Sequence, residues 1–198
     1  MNINDYEADK FDNKTWLKDV FDKQTSVMHK YADIEGMPDW PLNVNTREGQ
    51  KWFKDFLWRT TEEMMESLEA YRQSDMVHTI EELADALHFY VEFCILAGLD
   101  HIWADKVLWT SKAKINDDVE ANYLETVYQL GLIGNTLKNK PWKQTEMLTD
   151  ENKFQVIVNR AFVALINTFI AHGCSYEDIH SYYTRKNKVN QFRQGSKY

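Results

Sequence analysis

No stretch of this chain alternates apolar and polar residues between hairpin turns. Apolar residues recur three and four apart instead, the spacing that gathers them on one side of an α-helix. Only seven glycines and three prolines punctuate the 198 residues, so there are few places where a helix must stop. The class expected is all-α. A first helix is predicted near 14–31, with Leu17, Val20, Phe21, Gln24, Met28 and Tyr31 along one side. The run "ADIEGMPDWPLNVNTREG" then breaks the pattern with Pro38 and Pro41 and reads as an ordered loop. Helices follow near 47–73 and 75–97, the latter stopped by Gly98 in a left-handed position. Further helical pieces are expected near 101–114 and 118–133. A turn-rich stretch comes next, then helices near 152–172, stopped by Gly173, and 176–194, capped by Ser175. No boundary divides the chain. Residues 1–198 read as a single domain carrying a mobile helical insertion around 101–150. A faint internal echo, "FYVEFCILAGLDHI" against "ALINTFIAHGCSYEDI", fits two similar helix hairpins or chance.

Composition excludes several partners. A formal charge of −8 disfavours nonspecific binding to nucleic acid or to an anionic membrane, since both require clustered cations. An anionic substrate would need a local cationic pocket or a metal. Cys94 and Cys174 stand apart in apolar segments, where reduced cysteine packs as a small hydrophobe, which favours a reducing compartment. The start, "MNINDYEADKFDNK", lacks the apolar centre of a signal peptide. The apolar runs "FYVEFCILAGL" and "AFVALINTFIA" are short for a bilayer. A cytoplasmic location is expected.

The chemistry sits in two adjacent helices. In "TTEEMMESLEAYR", Glu63 and Glu66 lie three apart on one helix face, with Glu62 and Glu66 four apart on the neighbouring edge. Glu82 and Asp85 repeat the three-residue spacing in "TIEELADALHF". The short connection "QSDMVHT" lets the two helices pack antiparallel, so that four carboxylates converge. Such a cluster repels itself when empty, and a hard divalent cation relieves the repulsion because Mg²⁺ takes oxygen ligands and keeps several waters. Three glutamates on a helix also describe a solvated face, and Thr79 with Glu82 matches a capping box. Asp85-x-x-His88 resembles half of a carboxylate di-iron site, whose second half is not found in the sequence.

These residues resemble the all-α nucleotide pyrophosphatases, whose hallmark is EExxE on one helix and ExxD on the next. Here the matches are Glu62-Glu63-Met-Met-Glu66 and Glu82-Leu-Ala-Asp85. "ELADALHF" is similar to the form in dimeric dUTPases and the related phage dCTP/dUTP pyrophosphatases. The ending "YYTRKNKVNQFRQGSKY" is similar to that subgroup's KNxxNxxRQxxGY, through Lys186, Asn187, Asn190, Arg193, Gln194 and Tyr198.

The resemblance implies a helical bundle of the dimeric dUTPase type that hydrolyses dUTP, and dCTP with it, between the α- and β-phosphates. The products are a monophosphate and pyrophosphate. It implies Mg²⁺, with Mn²⁺ able to substitute, held by Glu63, Glu66, Glu82 and Asp85. Glu62 or Glu63 is the acid that activates water. It places Phe89 against the base, His88 beside the sugar or base, and Gln24 at the base edge, where an amide offers both a donor and an acceptor. Lys186 and Arg193 are implied for the phosphates, Asn187 and Asn190 for sugar or phosphates, and Tyr198 for closure of the substrate site. The partners implied are a deoxynucleoside triphosphate and a second copy of the chain, in the cytoplasm, or the host cytoplasm if phage-encoded. Two departures stand out. Val27 replaces the asparagine expected three residues after the glutamine, and Lys197 replaces the glycine of the ending. Base preference is therefore open between dUTP and dCTP. The alternatives are a broad MazG-like pyrophosphatase and a catalytically idle nucleotide-binding regulator.

Overall fold

The computed structural model describes residues 3–140 and 142–195, with the side chains of 194 and 195 left aside, and among these residues it is helical without strands. After a short 3₁₀ turn come α1 (Trp16–Glu35), α2 (Arg47–Arg72), α3 (Met76–Leu96), α4 (His101–Thr110), α5 (Val119–Thr136), α6 (Glu151–Ala171) and α7 (Tyr176–Gly195). The all-α expectation holds.

Chemistry at the helix ends explains most boundaries. The side chains of Thr46, Asp75, Asp100, Asp118 and Asp150 each accept a backbone N–H from the first turn of the helix they precede. Ser175 and Asp178 cap α7 reciprocally: Asp178 donates its backbone N–H to the Ser175 hydroxyl at 3.2 Å, and Ser175 donates its own to the Asp178 carboxylate at 2.8 Å. Gly98 and Gly173 stop α3 and α6 at φ 75° and 84°, where L side chains are strained. One boundary is corrected. The first helix continues through "ADIE" to Glu35 and ends only where Gly36 turns left-handed at φ 65°. The alternative capping box at Thr79 is not formed, and the third helix starts where expected. Asp75 caps it, and the Thr79 hydroxyl donates back to the Asp75 carbonyl from inside the helix.

Helices α2 and α3, joined by only three residues, form an antiparallel hairpin, as do α5 and α6. Helix α2 packs on α5 and α3 on α6, which closes a four-helix ring. Helices α1 and α7 lie on the outer side of α3 and against each other. Helix α3 is therefore covered from several directions, and most of its residues are buried. Its polar members, Glu82, His88 and Glu92, are thereby carried into the interior. Helix α6 corrects the expectation that the apolar runs are too short for a bilayer. It is long and apolar enough by composition to cross one, yet 61% of that stretch is buried inside the protein, as in a core helix. The first turn of α2 runs against the preceding loop. A Cβ at Gly49 would lie 2.3 Å from the Asn43 carbonyl oxygen, so only glycine fits.

Candidate active site

The α2–α3 hairpin brings acids together across its seam. Carboxylate oxygens of Glu63, Glu66 and Glu82 lie within 4.8 Å of one another. Glu82 is buried, Glu63 half-buried and Glu66 exposed, so the group opens to solvent on one side. Burial, the nearby Asp85 charge, and the hydrogen bond and charge of Glu82 push the Glu63 carboxyl up to about 8. Glu63 thus holds a proton that a cation would displace. The donors are hard oxygens of three or more carboxylates, which suits Mg²⁺ or Mn²⁺. Glu62 is exposed on the neighbouring edge of α2.

Asp85 is differently engaged. Its carboxylate lies 2.6 Å from the Lys186 ammonium, which reaches it from α7 and is itself buried. Burial works against that ammonium, but Asp85, then Glu82 and Glu81, outweigh it and hold its pKa above the usual lysine value. The acids and the C-terminal cations, far apart in the chain, thus meet at this pair. His78, one turn before Glu82, places its Nδ1 3.0 Å from the Glu82 carboxylate.

A second cluster lies deeper, between α1, α3 and α7. Gln24 is buried. Its amide nitrogen donates to Glu92 and its amide oxygen accepts from the Tyr183 hydroxyl, both at 2.5 Å. Tyr183 stacks on His88, with ring centres 3.9 Å apart and planes 6° from parallel. Nδ1 of His88 lies 2.7 Å from the Ala84 carbonyl, and burial pushes this imidazole down to about 4, so it is neutral. Burial pushes Glu92 up to about 8, against the pull of Gln24 and Arg59. Among the described residues, neither Nε2 of His88 nor Nδ2 of Asn187 finds a hydrogen-bond partner, although both are buried. Asn187 accepts from Gln191 through its Oδ1.

Phe89 is half-buried at the edge of this cluster. The Arg59 guanidinium sits 5.8 Å from its ring centre and 4.9 Å from that of Phe56, and makes a two-pronged contact with Glu35 at 3.1 Å. Asn190 is half-buried and Arg193 exposed on the later turns of α7. Tyr198 lies outside the described residues. Sequence reasoning passed over Glu92, Tyr183 and Arg59. A signal for Glu92 was present: it is the one acid inside the apolar run "FYVEFCIL", seven residues after Asp85 and therefore on the same side of α3.

A cavity of about 650 Å³ lies elsewhere, between α5, α6 and the segment joining α4 to α5, and none of the sequence-predicted site residues lines it. The chemistry concentrates at the α2–α3–α7 junction instead.

Comparison with curated proteins and with solved structures finds no match. Comparison with protein families matches residues 61–198 to the dUTPase family. The match begins just before Glu62 and takes in both acid-bearing segments and all of α7. With well over half of the sequence covered and an all-helical architecture, the chain belongs to the dUTPase family in its all-α form.

Proposed function

We propose that the protein is a Mg²⁺-dependent nucleoside triphosphate pyrophosphatase acting on dUTP, and on dCTP as well. The observation that carries this reading is the convergence of Glu63, Glu66 and Glu82 across the α2–α3 seam in a chain of the dUTPase family. Glu63, Glu66 and Glu82, completed by Asp85, would hold the cation. When bound, it would neutralise charge on the phosphoryl oxygens and favour ionisation of water.

The chain's own residues supply the rest. Glu62, exposed beside the cluster, or Glu63 takes a proton from the attacking water. The oxygen of that water bonds to the α-phosphorus, the bond from that phosphorus to the bridging oxygen breaks, and pyrophosphate leaves with the bridging oxygen. Lys186 and Arg193 bind the phosphates; Lys186 exchanges Asp85 for a phosphate oxygen. Asn187 and Asn190 orient the sugar or phosphates, His88 the sugar or base, and Phe89 lies against the base. Gln24, upstream of the family match, reads the base edge on the strength of its resemblance and its buried amide. Val27 is buried and offers the base no polar group, which is why both pyrimidines are proposed. Tyr198 belongs to the substrate-binding set on the strength of its resemblance alone. The reading includes a homodimer in the cytoplasm, and a mass measurement in solution tests the dimer.

Pyrophosphate release should be measured across a panel of nucleoside triphosphates with Mg²⁺. Release from dUTP or dCTP well above the others is expected. No release from either pyrimidine overturns the reading.

A further inference from the structure

The Gln24 amide is held from both ends by partners on two other helices. Its nitrogen meets Glu92 of α3 and its oxygen meets Tyr183 of α7. A glutamine amide has two N–H groups and two oxygen lone pairs, so each end keeps one place unused by these partners. Beside it, the buried Nε2 of His88 and Nδ2 of Asn187 are also without partners among the described residues. His88 stacks on Tyr183, and Asn187 follows Tyr183 by one turn. Three neighbouring buried side chains thus hold unused hydrogen-bonding capacity around one ring, as in a pocket that takes a polar guest.

Which end of the amide points which way matters for a pyrimidine. Uracil presents a ring N–H donor beside a carbonyl acceptor; cytosine presents a ring-nitrogen acceptor beside an amino donor. An amide fixed in one orientation matches one of these edges, and turning it over matches the other. We propose, building on the reading that Gln24 contacts the base, that Glu92 is a specificity-determining positioning residue that fixes the orientation of the Gln24 amide and with it the choice between uracil and cytosine.

The mechanism follows from hydrogen-bond inventory. An ionised Glu92 only accepts, so the amide nitrogen must face it. A protonated Glu92 can donate its O–H to the amide oxygen. The amide then turns over without loss, because Tyr183 can accept from the amide nitrogen while donating to the Val20 carbonyl, already 3.3 Å away. Discrimination therefore sharpens as Glu92 ionises. The charged and titratable groups facing this chain are Glu35 and Asp19 from α1, Arg59 from α2, His88 from α3 and Tyr183 from α7. Burial keeps Tyr183 well above 10 and His88 at about 4, while Arg59 stays charged, so none of these three changes state near neutral pH.

The test is the ratio of kcat/KM for dUTP to that for dCTP, at pH 6.5 and pH 9, in the wild type and in Glu92→Gln. A well-aligned pair of hydrogen bonds discriminates roughly 5- to 150-fold. The wild-type ratio should depart further from one at pH 9 than at pH 6.5. In Glu92→Gln, whose amide satisfies either orientation, the ratio should move about fivefold or more toward one and lose its pH dependence. If Glu92→Gln does not fold, as judged by circular dichroism, Glu92→Leu removes the orienting carboxylate while Tyr183 still accommodates the amide either way, and gives the same readout. A ratio unmoved by these variants overturns the proposal, as does a wild-type ratio near one at pH 9. Gln24→Leu separates the two levels: if it changes neither ratio nor KM, the base-reading role of Gln24 falls, whereas a changed ratio there with an unmoved ratio in Glu92→Gln removes only the role of Glu92.

Discussion

Glu63 and Glu92 are both pushed up to about 8, first by burial and then by different neighbours. Each is therefore neutral in the fold at a pH where the unfolded chain, near 4.5, has already released its proton. Stability from such a group is complete below the unfolded value and is lost as pH rises toward the folded one, by up to about 1.4 kcal/mol per pH unit for one group. Glu92→Gln should flatten this decline by about that amount between pH 5.5 and 7.5, read from urea midpoints at each pH. An unchanged slope would mean that Glu92 does not carry the proton. Glu63→Gln belongs to the same scale but touches chemistry. It should fold, melt higher at neutral pH without metal because Glu63 must take up a proton on folding and glutamine need not, and lose turnover by roughly 10²–10⁴-fold, the range of a positioned proton-transfer group. Mg²⁺ at a hundred times its dissociation constant should stabilise the wild type by about 2.7 kcal/mol. That thermal shift should vanish in Glu63→Gln; full activity with a normal shift would place the metal elsewhere.

Between helices, the connections are tied more firmly than their turn-rich sequence suggests. Asn139 donates its side-chain amide to the Asn45 carbonyl, accepts the Met147 backbone N–H, and donates its own backbone N–H to Gln50. The loops before α2 and α6 are thereby joined, with Thr149 donating its backbone N–H to the Asn45 side chain. Asn139→Leu leaves a carbonyl and an N–H without these bonds, which costs about 1–3 kcal/mol each when such groups stay buried. A lower melting temperature with unchanged helicity, and faster proteolysis within 140–149, should follow; wild-type resistance would show that this network is dispensable. This is also where legibility in the sequence ends. Helix ends marked by a serine or a left-handed glycine were readable because capping is local, and the acids were readable because a spacing of three defines a helix face. Gly36 was passed over because two prolines close behind it drew attention to the loop. Tyr183 and Arg59 act through partners on other helices, and nothing in local spacing announces such a partner; Glu92 was marked as an acid inside an apolar run, but not its bond to Gln24.

At the scale of the molecule, α7 joins the C-terminal end of the chain to the acids of the α2–α3 hairpin, and Lys186 is the joint. Its ammonium occupies Asp85 at 2.6 Å, so Asp85 is a poorer cation ligand while that pair stands. A triphosphate would offer Lys186 a better-charged partner and release Asp85 toward the cluster, so substrate and cation should favour one another's binding. Lys186→Met separates the effects. Removing one partner of a buried ion pair costs about 3–5 kcal/mol, and since Asp85 keeps partial contact with solvent, the loss without metal should sit at the low end. With its carboxylate free, the variant should bind Mg²⁺ more tightly when no nucleotide is present, giving a larger thermal shift than the wild type at equal Mg²⁺. Nucleotide should then add less to Mg²⁺ affinity than it does in the wild type, because the carboxylate that it would have released is already free. Calorimetric titration of Mg²⁺ with and without a nonhydrolysable dUTP analogue reads both effects. A variant whose Mg²⁺ affinity is unchanged without nucleotide would mean that Lys186 and the cation do not compete for Asp85, leaving α7 as a structural strut beside an acid cluster that fills independently of it.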